Sequence, residues 1–398
     1  MTDSTLIPPG SRYLEMLREF QGRYGCRPAL WVRAPGRVEL MGSHTDYNQG
    51  LVLTLSIDRD TWLAVSPRAD GRVVVGSMNL PGTDEFELAG IEHGSQVLWG
   101  NYVRAVAWAF QEAGYRLAGF DGLIHSTVPT GSGLSSSAAL EVAAAQAFGT
   151  LGGWDGGLPP ERKALLCQRA ENVFVGANTG ILDQYTAVFG RAGCALLLDC
   201  RYLSNEAVPI HRDISIIICD TRAKRELTGT AYGERRAACE EGARAFGRVE
   251  PGVLSLRDVT PEAWGRHAGL LAGPVADRCR FIIEENRRVP AMAAALRDGD
   301  WDAIGALTAA SYEGARDLFE IVGEEMAAMM AAMRAAPGII GARQSGGGFG
   351  GCMVAFAKAG CEEDFAAQVV SAYRAASGLD AQVFAVRAGP GAGAVETG

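Results

Sequence analysis

The sequence predicts an α+β fold in two halves that join near residue 205, and three observations carry that expectation. Before residue 205, β-rich runs at 30–34, 51–57, 61–66, 72–77 and 84–88 are separated by turn residues such as Asp70-Gly71 and Pro81-Gly82. After it, long stretches with helical spacing dominate, at 232–247, 275–297, 300–317 and 323–335. The third is length: 398 residues suffice for two or three domains whose core needs neither disulfides nor metal.

Taken in order, the chain opens on an amphipathic helix over 12–24, where Tyr13, Leu14, Leu17 and Phe20 recur at helical spacing. The β-rich runs follow, then a helix over 99–114 and a strand near 120–127. The loop Pro129-Thr-Gly-Ser-Gly133 opens onto a helix reaching about 150, and another helix spans roughly 161–174. The second half begins with a strand at 214–219. It closes with strands near 339–343, 352–357 and 380–386 around a helix at 362–376. The Met/Ala stripe at 326–336 reads as a packing surface inside a helical layer, not as a partner-binding face. No linker or internal repeat interrupts the chain, so the division is 1–205 and 206–398. The Gly/Ala-rich tail after 388 is expected to fray.

Composition prunes the function classes. The chain is 48% apolar and 21% charged, which excludes wholesale disorder and coiled coil. A net charge of −9 gives nucleic acid and anionic membrane no general attraction. No apolar run is long enough for a bilayer, and the start MTDSTLIPPG lacks a basic-then-apolar leader, so a cytosolic protein is expected. A monomer is the default expectation. The nine cysteines are scattered with no Cys-x-x-Cys pair, and the five histidines lie too far apart for a helical two-histidine metal site. Only three lysines occur (163, 224 and 358), against 34 arginines. None follows a glycine-rich turn or sits where a protein kinase needs its strand lysine, so a nucleotide would be handled by another design.

Three glycine-rich segments and one aspartate concentrate the chemistry. The first, Ala34-Pro-Gly-Arg-Val-Glu-Leu-Met-Gly-Ser-His-Thr-Asp-Tyr-Asn-Gln-Gly50, gathers Arg37, His44 and Asp46; taken alone, it is equally a polar hairpin turn. In the second, Val128-Pro-Thr-Gly-Ser-Gly-Leu-Ser-Ser-Ser-Ala-Ala-Leu-Glu141, glycines let backbone N–H groups converge and serines add hydroxyls. The following helix offers its positive N-terminus, which suits a triphosphate. A plain serine-capped helix would not need so many glycine and serine positions before Leu134. The third, Ala342-Arg-Gln-Ser-Gly-Gly-Gly-Phe-Gly-Gly-Cys352, implies close backbone approach or a glycine turn between two strands. Between the last two, Asp183 falls near a helix start, where a lone aspartate is most often a cap.

Together these segments resemble the GHMP kinases, and within them the galactokinase branch. Gly36-Arg37 through Asp46-Tyr47-Asn48 resembles the family's sugar signature, Gly131–Ala138 its phosphate-binding motif, and 345–351 its third motif. Trp99-Gly-Asn-Tyr-Val103, Asp183-Gln-Tyr185, Arg225-Glu-Leu227, Tyr232-Gly-Glu-Arg-Arg236 and Glu240-Glu241 extend the likeness, in order, over residues 16–376. The resemblance implies a two-domain α+β fold of mixed sheets with the active site in the cleft between the halves. It also implies transfer of the ATP γ-phosphate to the anomeric hydroxyl of D-galactose or a galacto-configured sugar. By the same resemblance Asp183 is the catalytic base and Arg37 neutralises the transferring phosphoryl group. Gly131, Ser132, Gly133, Leu134, Ser135, Ser136 and Ser137 wrap the ATP phosphates, while Ser137 and Glu171 hold Mg²⁺. Ser43, His44, Thr45, Asp46, Gly180 and Tyr232 face the sugar.

The sequence departs from the family at Ser43, where galactokinases usually carry a glutamate that accepts the C6 hydroxyl. Three substrates stay open: D-galactose, galacturonate, or a sugar without that hydroxyl such as L-arabinose. A glutamate facing a C6 carboxylate would cost roughly 4 kcal/mol at 4 Å and an effective dielectric near 20, and serine removes that clash. A smaller departure, at Asp317-Leu-Phe319-Glu320, predicts an altered helix entry rather than lost catalysis. A galactose-sensing regulator without turnover is the alternative of another class. Intact Arg37, Ser137-Ala138 and Asp183 argue against it, as His44-Thr45-Asp46-Tyr47 argues against a non-sugar substrate.

Overall fold

The structure, a computed structural model, describes residues 10–395 apart from 178, 224–227 and the side chains of 228–230. The Arg225-Glu-Leu227 likeness therefore lies outside the described residues.

After helix α1 (Ser11–Tyr24), the chain builds its first sheet from β1 (Leu30–Met41), β2 (Leu51–Arg68), β3 (Arg72–Ser77) and β4 (Thr83–Glu87). Helix α2 (Gly100–Glu112) leads to β5 (Gly119–Ser126), and the order across the sheet is β1-β2-β5-β3-β4. The runs expected at 51–57 and 61–66 are one strand: both ends of β2 pair with β1, and its far half also pairs with β5. Alternation along the strands divides the faces. Val32, Leu63 and Val65 pack under α2 and the next helix, α3 (Ser136–Gly152), while Trp31 and Trp62 point the other way onto Met16 and Phe20 of α1.

Helix α4 (Pro160–Arg169) runs on into a π-helical turn (Ala170–Val175), followed by α5 (Leu182–Phe189). Strands β6 (Cys194–Asp199) and β7 (Ser204–Pro209) then extend the sheet from the first residues of β2. Both strands escaped the sequence reading: Cys-Ala-Leu-Leu-Leu-Asp is a short apolar run with no period of its own, and Ser-Asn-Glu-Ala-Val-Pro is a mostly polar, exposed edge strand.

The chain passes to a second sheet at β8 (Ile214–Asp220). Helices α6 (Thr228–Gly247), α7 (Pro261–His267), α8 (Gly273–Asp298), α9 (Trp301–Asp317) and α10 (Glu324–Arg334) come next. Then β9 (Ile339–Gln344), β10 (Cys352–Lys358), α11 (Glu362–Ser377) and β11 (Gln382–Val386) complete an antiparallel sheet of order β11-β8-β10-β9. Met326, Met329, Met330 and Met333 of α10 bury against Met353, Phe365 and Tyr373, so the Met/Ala stripe is a packing surface. On the opposite face, Ile216, Ile218 and Phe356 share one core with Met292 and Leu296 of α8 and with Val38, Leu40, Leu53 and Leu55 of β1 and β2. That continuous core fixes the two sheets against each other.

The tail expected to fray is instead anchored over its described part, 389–395. The Gly389 N–H donates to Ser56 O, and β12 (Gly393–Ala394) pairs with β1 at Val32 and Arg33. Backbone pairing at the free edge of β1 outweighs the tail's flexible composition.

Candidate active site

A cavity of about 740 Å³ lies between the two sheets, walled by β1, the turn after it, the loop before α3, the starts of the π turn and α5, and the third glycine-rich segment. Two bulges in β1, between Pro35 and Arg37 and between Glu39 and Met41, bracket the segment that faces it. Bulges re-aim side chains and are common beside active sites. Gly36 permits the approach of the loop: a Cβ there would lie 2.8 Å from Leu134 O and 3.0 Å from the Val128 methyls.

Arg37 and Asp183 form the centre. Arg37 Nε donates to Asp183 Oδ1 at 2.7 Å, Nη2 lies in ion-pair contact with the same oxygen at 2.6 Å, and Ser135 Oγ donates to Asp183 Oδ2. A further Arg37 N–H goes to Gly133 O, and its backbone N–H to Leu134 O at 3.0 Å. Asp183 sits in the first turn of α5 without capping it, so the cap reading of a lone aspartate does not apply. Ser135 is held at φ 59°, in the left-handed region. Its side chain reaches Asp183 rather than its own helix.

A second patch is built on the turn after β1. His44, also left-handed at φ 61°, shares 2.9 Å with the Tyr47 hydroxyl through Nδ1 and 3.2 Å with Gly347 O through Nε2. A carbonyl can only accept, so Nε2 carries the proton and Nδ1 accepts from Tyr47. Burial lowers the His44 pKa to about 4, so the ring is neutral at pH 7. Tyr232 and Phe319 flank the ring at 5.2 and 4.8 Å between centroids. The departure at Phe319 is thus a packing residue behind His44. Burial raises the Asp46 pKa to about 6; the Glu39 and Asp183 charges add to this and a Tyr47 N–H opposes it. A Cβ on Gly180 would lie 1.6 Å from Asp46 Oδ2, so only glycine fits there.

A third cluster surrounds Glu171 at the start of the π turn. Ser137 Oγ donates to Glu171 Oε1 at 3.2 Å, and Thr179 Oγ1 and Gln184 Nε2 donate to Oε2 at 2.7 and 2.8 Å. Gln184 also donates to Glu141 Oε2 at 2.9 Å, leaving Glu141 Oε1 and Gln184 Oε1 buried without a partner among the described residues. Burial pushes both carboxyls up, Glu141 furthest; the Glu171 charge adds to the rise at Glu141, and the Asp183 charge to that at Glu171. Of this cluster Ser137 and Glu171 line the cavity, and the unpartnered oxygens lie buried behind them.

Most of the residues the sequence singled out converge on this cavity: Arg37, His44, Asp46, Gly131, Gly133, Ser135, Ser136, Ser137, Glu171, Gly180, Asp183 and Tyr232 line it. Four sit elsewhere. Leu134 is fully buried under the loop, and Ser132 turns its hydroxyl onto Pro129 O at 2.8 Å. Thr45 Oγ1 donates to Gly42 O and Leu51 O, closing the turn. Ser43, fully buried, lies behind the wall, bonded to Glu39 and Arg343. Of the third segment, Gly346 and Gly347 line the cavity, and left-handed φ values at Gly346, Gly348, Phe349, Gly350 and Gly351 curl it there.

Sequence reasoning missed Glu39, Glu141, Gln184, Asn79 and the Arg343 cluster, and gave Trp99 and Tyr102 no role although both line the cavity. Glu39 had a signal: it stands two residues from Arg37 on one strand, hence on the same face.

Comparison with known proteins agrees with this geometry. Residues 18–67 match the galactokinase galactose-binding signature, 101–191 the GHMP kinases N terminal domain, and 292–376 the GHMP kinases C terminal domain. The galactokinase of Roseiflexus sp. (strain RS-1) is 42% identical over 381 residues, covering 96% of this chain and 97% of that protein. That of Chloroflexus aurantiacus is 39% identical over 94% of this chain and 96% of the relative. The crystal structure of Lactococcus lactis galactokinase complexed with galactose superposes with a TM-score of 0.91 at 32% identity, covering 96% of this chain and 100% of that one. The Methanococcus jannaschii mevalonate kinase, at 15% identity and a TM-score of 0.62, shares the fold.

Proposed function

The chain belongs to the GHMP kinases, in the galactokinase family, and from that membership we propose that it transfers the γ-phosphoryl group of ATP to the C1 hydroxyl of D-galactose. The observation that carries the reading is the Arg37–Asp183–Ser135 cluster, which stands between the phosphate loop and the His44–Asp46–Tyr232 patch in one cavity.

Asp183 takes the proton of the C1 hydroxyl while that oxygen bonds to the γ-phosphorus and the bond to the bridging oxygen of ADP breaks. Arg37, bonded to both Asp183 and Gly133 O, places its charge where the phosphoryl group passes. Positioning and charge stabilisation are what this reaction chiefly asks of a protein. Asp46 accepts sugar hydroxyls, Tyr232 packs beside them, and neutral His44 presents a ring edge fixed by Tyr47 and Gly347. The 131–137 loop and the N-terminus of α3 receive the phosphates.

The residues also fit magnesium. Ser137 Oγ and Glu171 Oε1 are hard oxygens on one wall, beside the unpartnered oxygens of Glu141 and Gln184, and Mg²⁺ is commonly held by one or two protein oxygens plus phosphate. When bound, it would neutralise charge on the phosphate oxygens.

The test is ADP release from ATP and Mg²⁺ with D-galactose, D-galacturonate, L-arabinose, N-acetylgalactosamine and D-glucose. Galactose is expected to give the highest kcat/KM. Sugar binding with no ADP release would make the protein a sensor instead.

A further inference from the structure

We infer that Glu39, not a residue at position 43, is the side chain by which this protein selects the exocyclic hydroxyl of its sugar; the inference rests on the galactokinase reading above.

Glu39 is 3% exposed, and what exposure it has is to the cavity. Its two oxygens differ. Oε1 accepts from Ser43 Oγ at 2.8 Å and from Arg343 Nη1 at 3.0 Å, whereas Oε2 has no partner among the described residues. A carboxylate oxygen that faces a cavity with no protein donor on it is free to accept from a ligand hydroxyl. Ser43 supplies no such group, because its hydroxyl donates to Glu39 and accepts from Arg343 Nη2 at 2.8 Å.

The carboxylate is rigidly placed. Arg343, with no exposed surface, also donates to Ser311 Oγ at 3.0 Å and to Glu285 Oε1 at 2.9 Å, while Arg288 binds the other oxygen of Glu285 at 3.0 Å. Two guanidiniums thus balance two carboxylates, and neither Arg343 nor Ser43 is free to turn into the site. Between the two bulges the register is regular, with Arg37 opposite Ser56 and Glu39 opposite Thr54. Arg37 and Glu39 therefore stand on one face ~6.6 Å apart along the strand, a distance on the scale of one hexose ring. With the reacting hydroxyl at the Arg37–Asp183 end, the ring substituent farthest from it meets Glu39.

Charge settles which substituent. Among the described residues the wall carries one cation, Arg37, already paired with Asp183, and it carries the acids Glu39 and Asp46 besides. A uronate placed against Glu39 would be repelled, whereas a hydroxymethyl group donates to Oε2. The serine at position 43 therefore does not open the site to galacturonate.

The test compares kcat/KM for D-galactose, 6-deoxy-D-galactose and D-galacturonate in the wild type, Glu39→Gln, Glu39→Asp and Ser43→Ala. The wild type should prefer galactose over the 6-deoxy sugar by ~100-fold or more, since a site built to bond a hydroxyl rejects the analogue lacking it. Glu39→Gln should cut that preference at least ~10-fold and raise relative turnover of galacturonate. Glu39→Asp keeps the charge but withdraws the carboxylate by one methylene, and should lose the preference too. Ser43→Ala should leave both ratios within ~3-fold, because Arg343 still holds Oε1. Ratios that move in Ser43→Ala but not in the Glu39 variants would overturn the inference, as would a wild type that favours galacturonate. Calorimetric sugar binding on the same proteins keeps the two readings apart. No turnover of any sugar defeats the kinase reading, while galactose affinity unchanged in both Glu39 variants defeats the role of Glu39.

Discussion

Arg37 Nη2 and Asp183 Oδ1 lie 2.6 Å apart, joining the middle of β1 to the first turn of α5 across 146 residues of chain. The pair sits where the phosphate loop and the sugar patch meet, and Ser135 from the loop closes on the same carboxylate. Asp183→Asn keeps the shape but removes the proton acceptor, so kcat should fall by ~10³ while ATP affinity changes little. A residual rate above ~10% of wild type, measured by coupled ADP release, would remove Asp183 from the role of base.

Asp46 makes sugar recognition depend on pH. Its buried carboxyl, with a pKa raised to about 6, is ionised at pH 7.5 and gains a proton as pH falls through about 6. It then loses acceptor strength for sugar hydroxyls, so kcat/KM for galactose should drop below about pH 6 while KM for ATP stays level. Asp46→Asn should show a lower value without that inflection. An inflection that persists in Asp46→Asn would assign the titration to another group.

Gly180 is required by steric fit against Asp46. Adding one methyl puts a carbon 1.6 Å from Asp46 Oδ2, so Gly180→Ala must push that carboxylate out of place. The expected result is a rise in galactose KM of ~10-fold or more, since displacements of about 1 Å carry costs of that order, with KM for ATP unaffected. Equal rises in both would mean that the substitution disturbs the whole cavity.

Glu171 and Ser137 should govern the metal requirement. Glu171→Gln and Ser137→Ala each remove one oxygen ligand in the proposed site, and the Mg²⁺ concentration for half-maximal rate should climb ~10- to 100-fold. An unchanged magnesium curve in both variants would place the metal elsewhere.

Arg343 carries the stability of the buried network. Arg343→Met would remove the guanidinium that Glu39 and Glu285 share, leaving Arg288 on Glu285 and the more distant Arg37 for Glu39. Breaking a buried pair in this way costs about 3–5 kcal/mol, to be read from urea unfolding. A loss under ~1 kcal/mol would show that water or rearrangement relieves the two carboxylates.

The sequence made the fold's long elements legible because their patterns are unambiguous, as at α8, α9 and α11. It hid β6 because a six-residue apolar run looks the same in a strand or a helix, and split β2 because charged Asp58, Arg59 and Asp60 interrupt it. In the site, residues marked by glycine-rich surroundings were found, including Arg37, His44, Asp46 and the 131–137 loop. Ser43 was misleading: position in a motif does not reveal which way a side chain turns, and here the hydroxyl turns to Glu39. Arg343 could not be paired in advance with partners 58 and 304 residues away, since only the meeting of the two sheets brings them together.

The most direct test of the central claim is the structure of the product. Incubation with ATP, Mg²⁺ and D-galactose, followed by phosphorus and proton NMR, should show one new phosphate coupled to H1 of the sugar, formed in step with ADP. Phosphate coupled at C6 or another position, or ADP formed with only inorganic phosphate, would contradict the placement of the C1 hydroxyl at Asp183.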